Sequence, residues 1–161
     1  MEDYGINKHK AHPNASNLIN DSFFWDNTNE YSPFGSDEGD TALEEFRKWR
    51  ANNKKEPLIS FIQSFVQDIE GTSIKDYLST SLNRDSIELM STEYEEEFTI
   101  DITIIATCFG QFVDEGQIDI EVKDILLFAI HKQEEINKYL GENEFVNNLN
   151  KLYIYTLQIW R

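Results

Sequence analysis

The chain has 161 residues, with 30 acidic and 14 basic side chains and a formal net charge of −16. That length fits one domain, and the 40% apolar, 13% aromatic composition supplies a core that highly charged disordered chains lack. So negative a surface repels nucleic-acid phosphates and anionic lipid headgroups and attracts a basic partner, though solubility alone also accounts for it.

Cys108 is the one cysteine, so neither an intrachain disulfide nor a cysteine-built metal site can form. The segment Met1 to Pro13 is polar and lacks the apolar centre of a signal peptide. No apolar run approaches the roughly 18 residues of a membrane span. A reducing cytoplasm is the expected location.

Residues 1–12 read as a flexible tail and residues 13–161 as a single helical domain. Pro13 suits the first turn of a short helix reaching about Asn20. The aromatic cluster Phe23, Phe24 and Trp25 leads into a polar loop, Asp26 to Asp40, whose Tyr31 and Phe34 are expected to fold back onto the core. A helix follows with Ala42, Phe46 and Trp49 as its apolar stripe, Asp37 and Asp40 near its start and bases toward its end, which complements the helix dipole.

Pro57 opens the next helix, with Leu58, Ile62, Phe65 and Ile69 on one face, Phe61 and Val66 beside them, and Gly71 as its stop. Ser73 caps a short helix carrying Ile74, Tyr77 and Leu78, and a further short helix is expected around Ile87–Met90. Thr92 and Glu95 match a capping box. Phe98, Ile100, Ile102 and Ile104 alternate as in a strand, but the 4-3-4-3 series Phe98, Ile102, Ile105, Phe109, Phe112 runs longer. It predicts a buried helix from about 93 to 115, stopped at Gly116. Asp119 starts a long helix with Val122, Ile125, Ala129, Ile136 and Leu140 inward, ended by Gly141. The last helix places Phe145, Leu149, Leu152, Thr156 and Trp160 on one side. The expected fold is an all-α, single-domain bundle of six or seven helices with short loops.

Charge is uneven. Residues 1–57 hold 11 acids and 7 bases, residues 58–161 hold 19 and 7, and from Asp85 to Val122 there are 11 acids and no base. Arg47, Lys48, Arg50, Lys54 and Lys55 crowd one segment. Its Trp49 superficially suits a nucleic-acid patch, but five cations against the overall charge make a poor phosphate trap.

No sequence motif names a chemistry. The Asp26–Asp40 loop is oxygen-rich but puts Tyr31 where an EF-hand needs glycine. His9 and His12 lack further ligands, and His131 lacks the second helix of a di-iron site. Gly35-Ser36-Asp37-Glu38-Gly39 has its serine one place early for a nucleophile elbow, and no glycine-rich phosphate loop is present. Cys108 falls in the buried helix, where a thiol acts as a small apolar group, so a Cys108–His131 pair is not expected. Asp101, with Glu97 one turn before it, lies within the apolar stretch, where burial would raise its pKa as in a catalytic acid.

The phrases His12-Pro13-Asn14-Ala15, Phe23-Phe24-Trp25, Ser32 to Gly39 (SPFGSDEG), Glu45-Phe46-Arg47-Lys48-Trp49-Arg50 and Gln111 to Asp119 resemble the YfeS-like family of uncharacterised bacterial proteins. That resemblance implies a bacterial cytoplasmic protein and carries no activity over.

The expected function is non-enzymatic binding of a basic protein, of the antidote or regulatory kind, with Glu93, Glu95, Glu96, Asp114 and Glu115 as the acidic surface. The competing expectation is a small-ligand or hydrolase-type site in the loop region 25–50, lined by Trp25, Tyr31, Phe34, Asp37, Glu38, Arg47 and Arg50. No cofactor and no metal is expected in either case, and the oligomeric state is open.

Overall fold

The computed structural model describes residues 5–71 and 73–161, and for 69 and 70 the backbone alone. Eight α-helices and no strand occur among the described residues: α1 Pro13–Leu18, α2 Asp37–Asn52, α3 Leu58–Glu70, α4 Ile74–Leu78, α5 Arg84–Thr92, α6 Tyr94–Glu115, α7 Lys123–Leu140 and α8 Asn143–Ile159. The chain is thus an all-α bundle around one main hydrophobic core, with a small satellite of Ile87, Met90 and Ile136. No helix is long and apolar enough to cross a membrane among the described residues.

The bundle is organised about α6. Every residue of α6 from Ile100 to Val113 is buried, because apolar side chains surround the helix rather than striping one face. At 22 residues it is about 33 Å long, enough to run the depth of the domain. Helix α2 lies along one side of it, and α7 packs between α6 and α8. Gly110 sits where α2 passes α6, with a Cβ position 3.1 Å from Leu43 Cδ1.

The glycine stops at 71, 116 and 141 are each left-handed helix ends, with φ of 62°, 78° and 79°. Ser73 caps α4 by accepting from Asp76 N. The helical reading of 93–115 is the one observed, and the strand-like alternation has no strand behind it.

Several local expectations are corrected. Residues 5–12, expected as part of a flexible tail, are anchored: Ile6 is buried, Gly5 O accepts from Arg47 Nη1 at 2.8 Å, and His12 N donates to Val113 O at 2.7 Å. Residues 1–4 lie outside the described set. Helix α2 begins at Asp37, because Ser36 is its N-cap and accepts from Gly39 N. Asp37, Glu38 and Asp40 occupy its first turn. The Thr92–Glu95 capping box does not form, since Thr92 ends α5 and its hydroxyl donates back to Leu89 O. The inner line of α3 is Leu58, Ile62 and Val66, with Phe61 and Phe65 half-buried at its flanks, and the Ile69 side chain lies outside the described set. After Asp119 a 3-10 turn, Ile120–Val122, precedes α7. Leu140 in the last turn of α7 is exposed.

Candidate functional site

The loop between Trp25 and α2 divides its aromatic residues between two jobs. Phe24 and Phe34 are fully buried and meet edge to face at 5.5 Å, and Phe24 also meets Phe109 of α6 at 5.6 Å. Trp25 stacks its edge on Phe24 and donates Nε1–H to Ile19 O at 2.9 Å. These rings fasten the loop to the core. Tyr31 instead stacks on Phe145 of α8 at 5.3 Å and donates its hydroxyl to Glu142 at 2.9 Å. The Glu142 hydrogen bond raises the Tyr31 pKa above the ordinary phenol value.

The loop can lie this close only because two positions lack a side chain. A Cβ on Gly35 would overlap the Asn29 carbonyl, and one on Gly39 would overlap the Pro33 carbonyl. Tyr31, Asp37 and Glu38 thereby come to line an open cleft of about 500 Å³. Glu30, Gly35 and Ser36 share its rim, α6 contributes Tyr94, Glu95, Phe98 and Thr99, and α8 contributes Phe145. All the charged side chains of the lining, Glu30, Asp37, Glu38 and Glu95, are carboxylates.

Of the expected loop site, Tyr31, Asp37 and Glu38 therefore reach the cleft, while Trp25 and Phe34 are packed away from it. Arg47 and Arg50 are a correction. They sit in the C-terminal half of α2 and are engaged by the end of α6. Arg47 forms a two-pronged pair with Asp114, Nε to Oδ2 at 2.8 Å and Nη2 to Oδ1 at 2.9 Å. Arg50 Nε lies 2.7 Å from Glu115 Oε2, and its guanidinium lies 5.0 Å over the Trp49 ring.

The same contacts correct the expected acidic surface. Asp114 and Glu115 are neutralised within the fold, whereas Glu93, Glu95 and Glu96 stand exposed at the start of α6. Glu95 alone of these five also lines the cleft.

A second cluster is buried. Asp101 is fully enclosed, and its carboxylate accepts from the Tyr77 hydroxyl, from Gln133 Nε2 at 2.8 Å and from Lys132 Nζ at 3.3 Å. Lys132, 2% exposed, also donates to Glu97. Asn137 Nδ2 donates to Gln133, and Tyr94 reaches both Gln133 and Asn137 at 3.4 Å. Burial pushes Asp101 up to about 6, against the opposing pull of Lys132, Gln133 and Tyr77. Burial pulls Lys132 down, but Asp101 and Glu97 outweigh it and hold the ammonium above its ordinary value. Sequence reasoning singled out Asp101 and Glu97. It had no signal for Tyr77, Lys132 or Gln133, whose partners lie 24 to 32 residues away. Asp101 and Lys132 are buried and hydrogen-bonded to side chains of α4, α6 and α7, so the arrangement braces those three helices.

Cys108 is buried in α6, and burial pushes its thiol well above the usual range, while His131 is exposed on α7. His12 Nδ1 accepts from Asn14 N. No group of three or more His, Cys, Asp or Glu side chains is placed to hold a metal ion among the described residues. The chain matches no protein-family model, and it aligns with no curated protein and no solved structure.

Proposed function

We propose that this protein binds a basic protein partner through the acidic–aromatic cleft formed by the Tyr31–Glu38 loop, the start of α6 and the start of α8. The observation that carries the reading is the lining itself: four carboxylates and no cation around Tyr31, Tyr94, Phe98 and Phe145. Aromatic faces and carboxylates both attract an ammonium or guanidinium group. Exposed Glu93 and Glu96 extend the negative field outward from the cleft. The overall charge of −16 then speeds encounter with a cationic surface and makes it salt-sensitive. An antidote or regulatory protein that masks a basic surface would act this way.

Capture on the immobilised protein at low and high ionic strength tests this. Basic polypeptides are expected at low salt, released at high salt, and lost from an Asp37→Asn, Glu38→Gln, Glu95→Gln triple variant. Capture that is unchanged in the triple variant would overturn the reading.

A further inference from the structure

The carboxylate cleft does not stand alone. A second hollow of about 360 Å³ lies between α2, α3 and α6, lined by Asp37, Glu38, Thr41, Ala42, Glu45, Phe61, Phe65, Thr99 and Thr103. Its floor is apolar where the first is acidic: Phe61 and Phe65 are the flanking, half-buried rings of α3. The two hollows meet at Asp37, Glu38 and Thr99, which line both.

Helical spacing makes them one groove. Glu95, Thr99 and Thr103 recur every four residues and so form a row along one side of α6. Glu95 belongs to the first hollow, Thr103 to the second, and Thr99 to both. Eight residues of helix set the ends of that row about 12 Å apart. On α2 the edge formed by Asp37, Thr41 and Glu45, with a carboxylate at each end, follows the same spacing. The groove thus has an acidic, aromatic end and an apolar end, with carboxylates along its rim.

An extended chain fits that layout. Its alternate side chains project to the same side about 7 Å apart, which is within the length of the row. Resting on the reading that the cleft takes a basic partner, we propose that the groove binds an extended segment of that partner in which a lysine or arginine and an aliphatic residue two positions away project together. The cation enters between Glu30, Glu38 and Glu95, against Tyr31 and Tyr94. The aliphatic side chain covers Phe61 and Phe65. Charge selects the class of partner, and the apolar end selects the segment within it.

Fluorescence anisotropy with three labelled six-residue peptides tests this: Lys-Ser-Leu-Ser-Lys-Ser (lysine–leucine), the same peptide with serine in place of the leucine (lysine–serine), and the same peptide with serine in place of both lysines (serine–leucine). The lysine–leucine peptide is expected to bind about tenfold or more tightly than either of the others, the gain over lysine–serine being the burial of aliphatic surface. Thr41→Trp fills the apolar end from an exposed helix position and is expected to abolish that gain while leaving lysine–serine binding in place. Phe65→Ser is expected to do the same, and circular dichroism of both variants checks that they fold. Equal binding of the two lysine peptides, or a gain that survives Thr41→Trp, overturns the two-ended groove and leaves the basic-partner reading standing. Equal binding of serine–leucine and lysine–leucine, or no binding of any lysine peptide, overturns both.

Discussion

Arg47 of α2 grips Asp114 of α6 with two parallel hydrogen bonds of 2.8 and 2.9 Å, while its remaining arm holds the Gly5 carbonyl. One guanidinium therefore joins three stretches of chain: the N-terminal segment, the second helix and the end of the central one. The pair is mostly shielded, with side chains 11% and 21% exposed, so its hydrogen bonds are worth more than those of a surface ion pair.

Asp114→Ala is expected to cost about 2 kcal/mol of stability, the scale of charge-assisted hydrogen bonds lost on one side. A double-mutant cycle with Arg47→Ala, read by urea denaturation, should return a coupling energy of at least about 1 kcal/mol. Additive single effects would mean that the pair contributes nothing as a pair.

The Asp101 carboxyl, pushed up to about 6 by burial, binds a proton in the folded state at pH values where the unfolded chain has released it. The folded state thus holds more protons between about pH 4 and pH 6, and this group makes stability fall as pH rises through that window. Lys132, raised above its ordinary value, keeps its charge throughout the window and contributes no slope there. Asp101→Asn should flatten this part of the profile relative to wild type when urea midpoints are measured from pH 4 to pH 7. Parallel profiles for the two proteins would contradict it.

Asp119 caps a helix to which it is not adjacent. Its Oδ2 accepts from Leu58 N, the first helical residue of α3, at 2.9 Å, while Oδ1 accepts from Gln111 Nε2 at the same distance. The N-cap of α3 is Pro57, which offers no side-chain acceptor of its own. Asp119→Ala should therefore cost about 1–2 kcal/mol and raise amide exchange in the first turn of α3, some sixty residues away in sequence. Exchange that rises only around residue 119 would count against the remote cap.

Two glycine substitutions separate crowding from backbone preference. Gly35→Ala forces a Cβ into the Asn29 carbonyl, so a loss of at least about 2 kcal/mol is expected, with weakened binding at the cleft that the loop shapes. Gly71→Ala meets open space and bears only the left-handed φ of 62°, a cost of about 1 kcal/mol. Thermal midpoints that reverse this order would refute the account of the loop.

The pattern of what was legible follows from which forces are local. Helix α6 was readable because its 4-3-4-3 apolar series outruns the four-residue alternation that mimics a strand. Gly71, Gly116 and Gly141 were readable as stops because a left-handed helix end needs no neighbour to explain it. The capping box at Thr92 misled because two helices abut there, and the break at Glu93 leaves Thr92 inside the earlier one. Tyr31, Asp37 and Glu38 were named for the loop on composition, whereas Tyr94, Phe98 and Phe145 of the same cleft come from helices that looked purely structural.

The sequence by itself determined an all-α chain, most of its helix ends, a largely buried central helix and a charge of −16. Only the tertiary structure decided where that charge is spent. The stretch from Asp85 to Val122 carries no base of its own, yet Arg47, Arg50 and Lys132 reach it from α2 and α7 to pair with Asp114, Glu115, Glu97 and Asp101. Periodicity fixes which face of a helix a residue occupies but not which helix will cover it, so ion pairs spanning 31 to 67 residues leave no local trace.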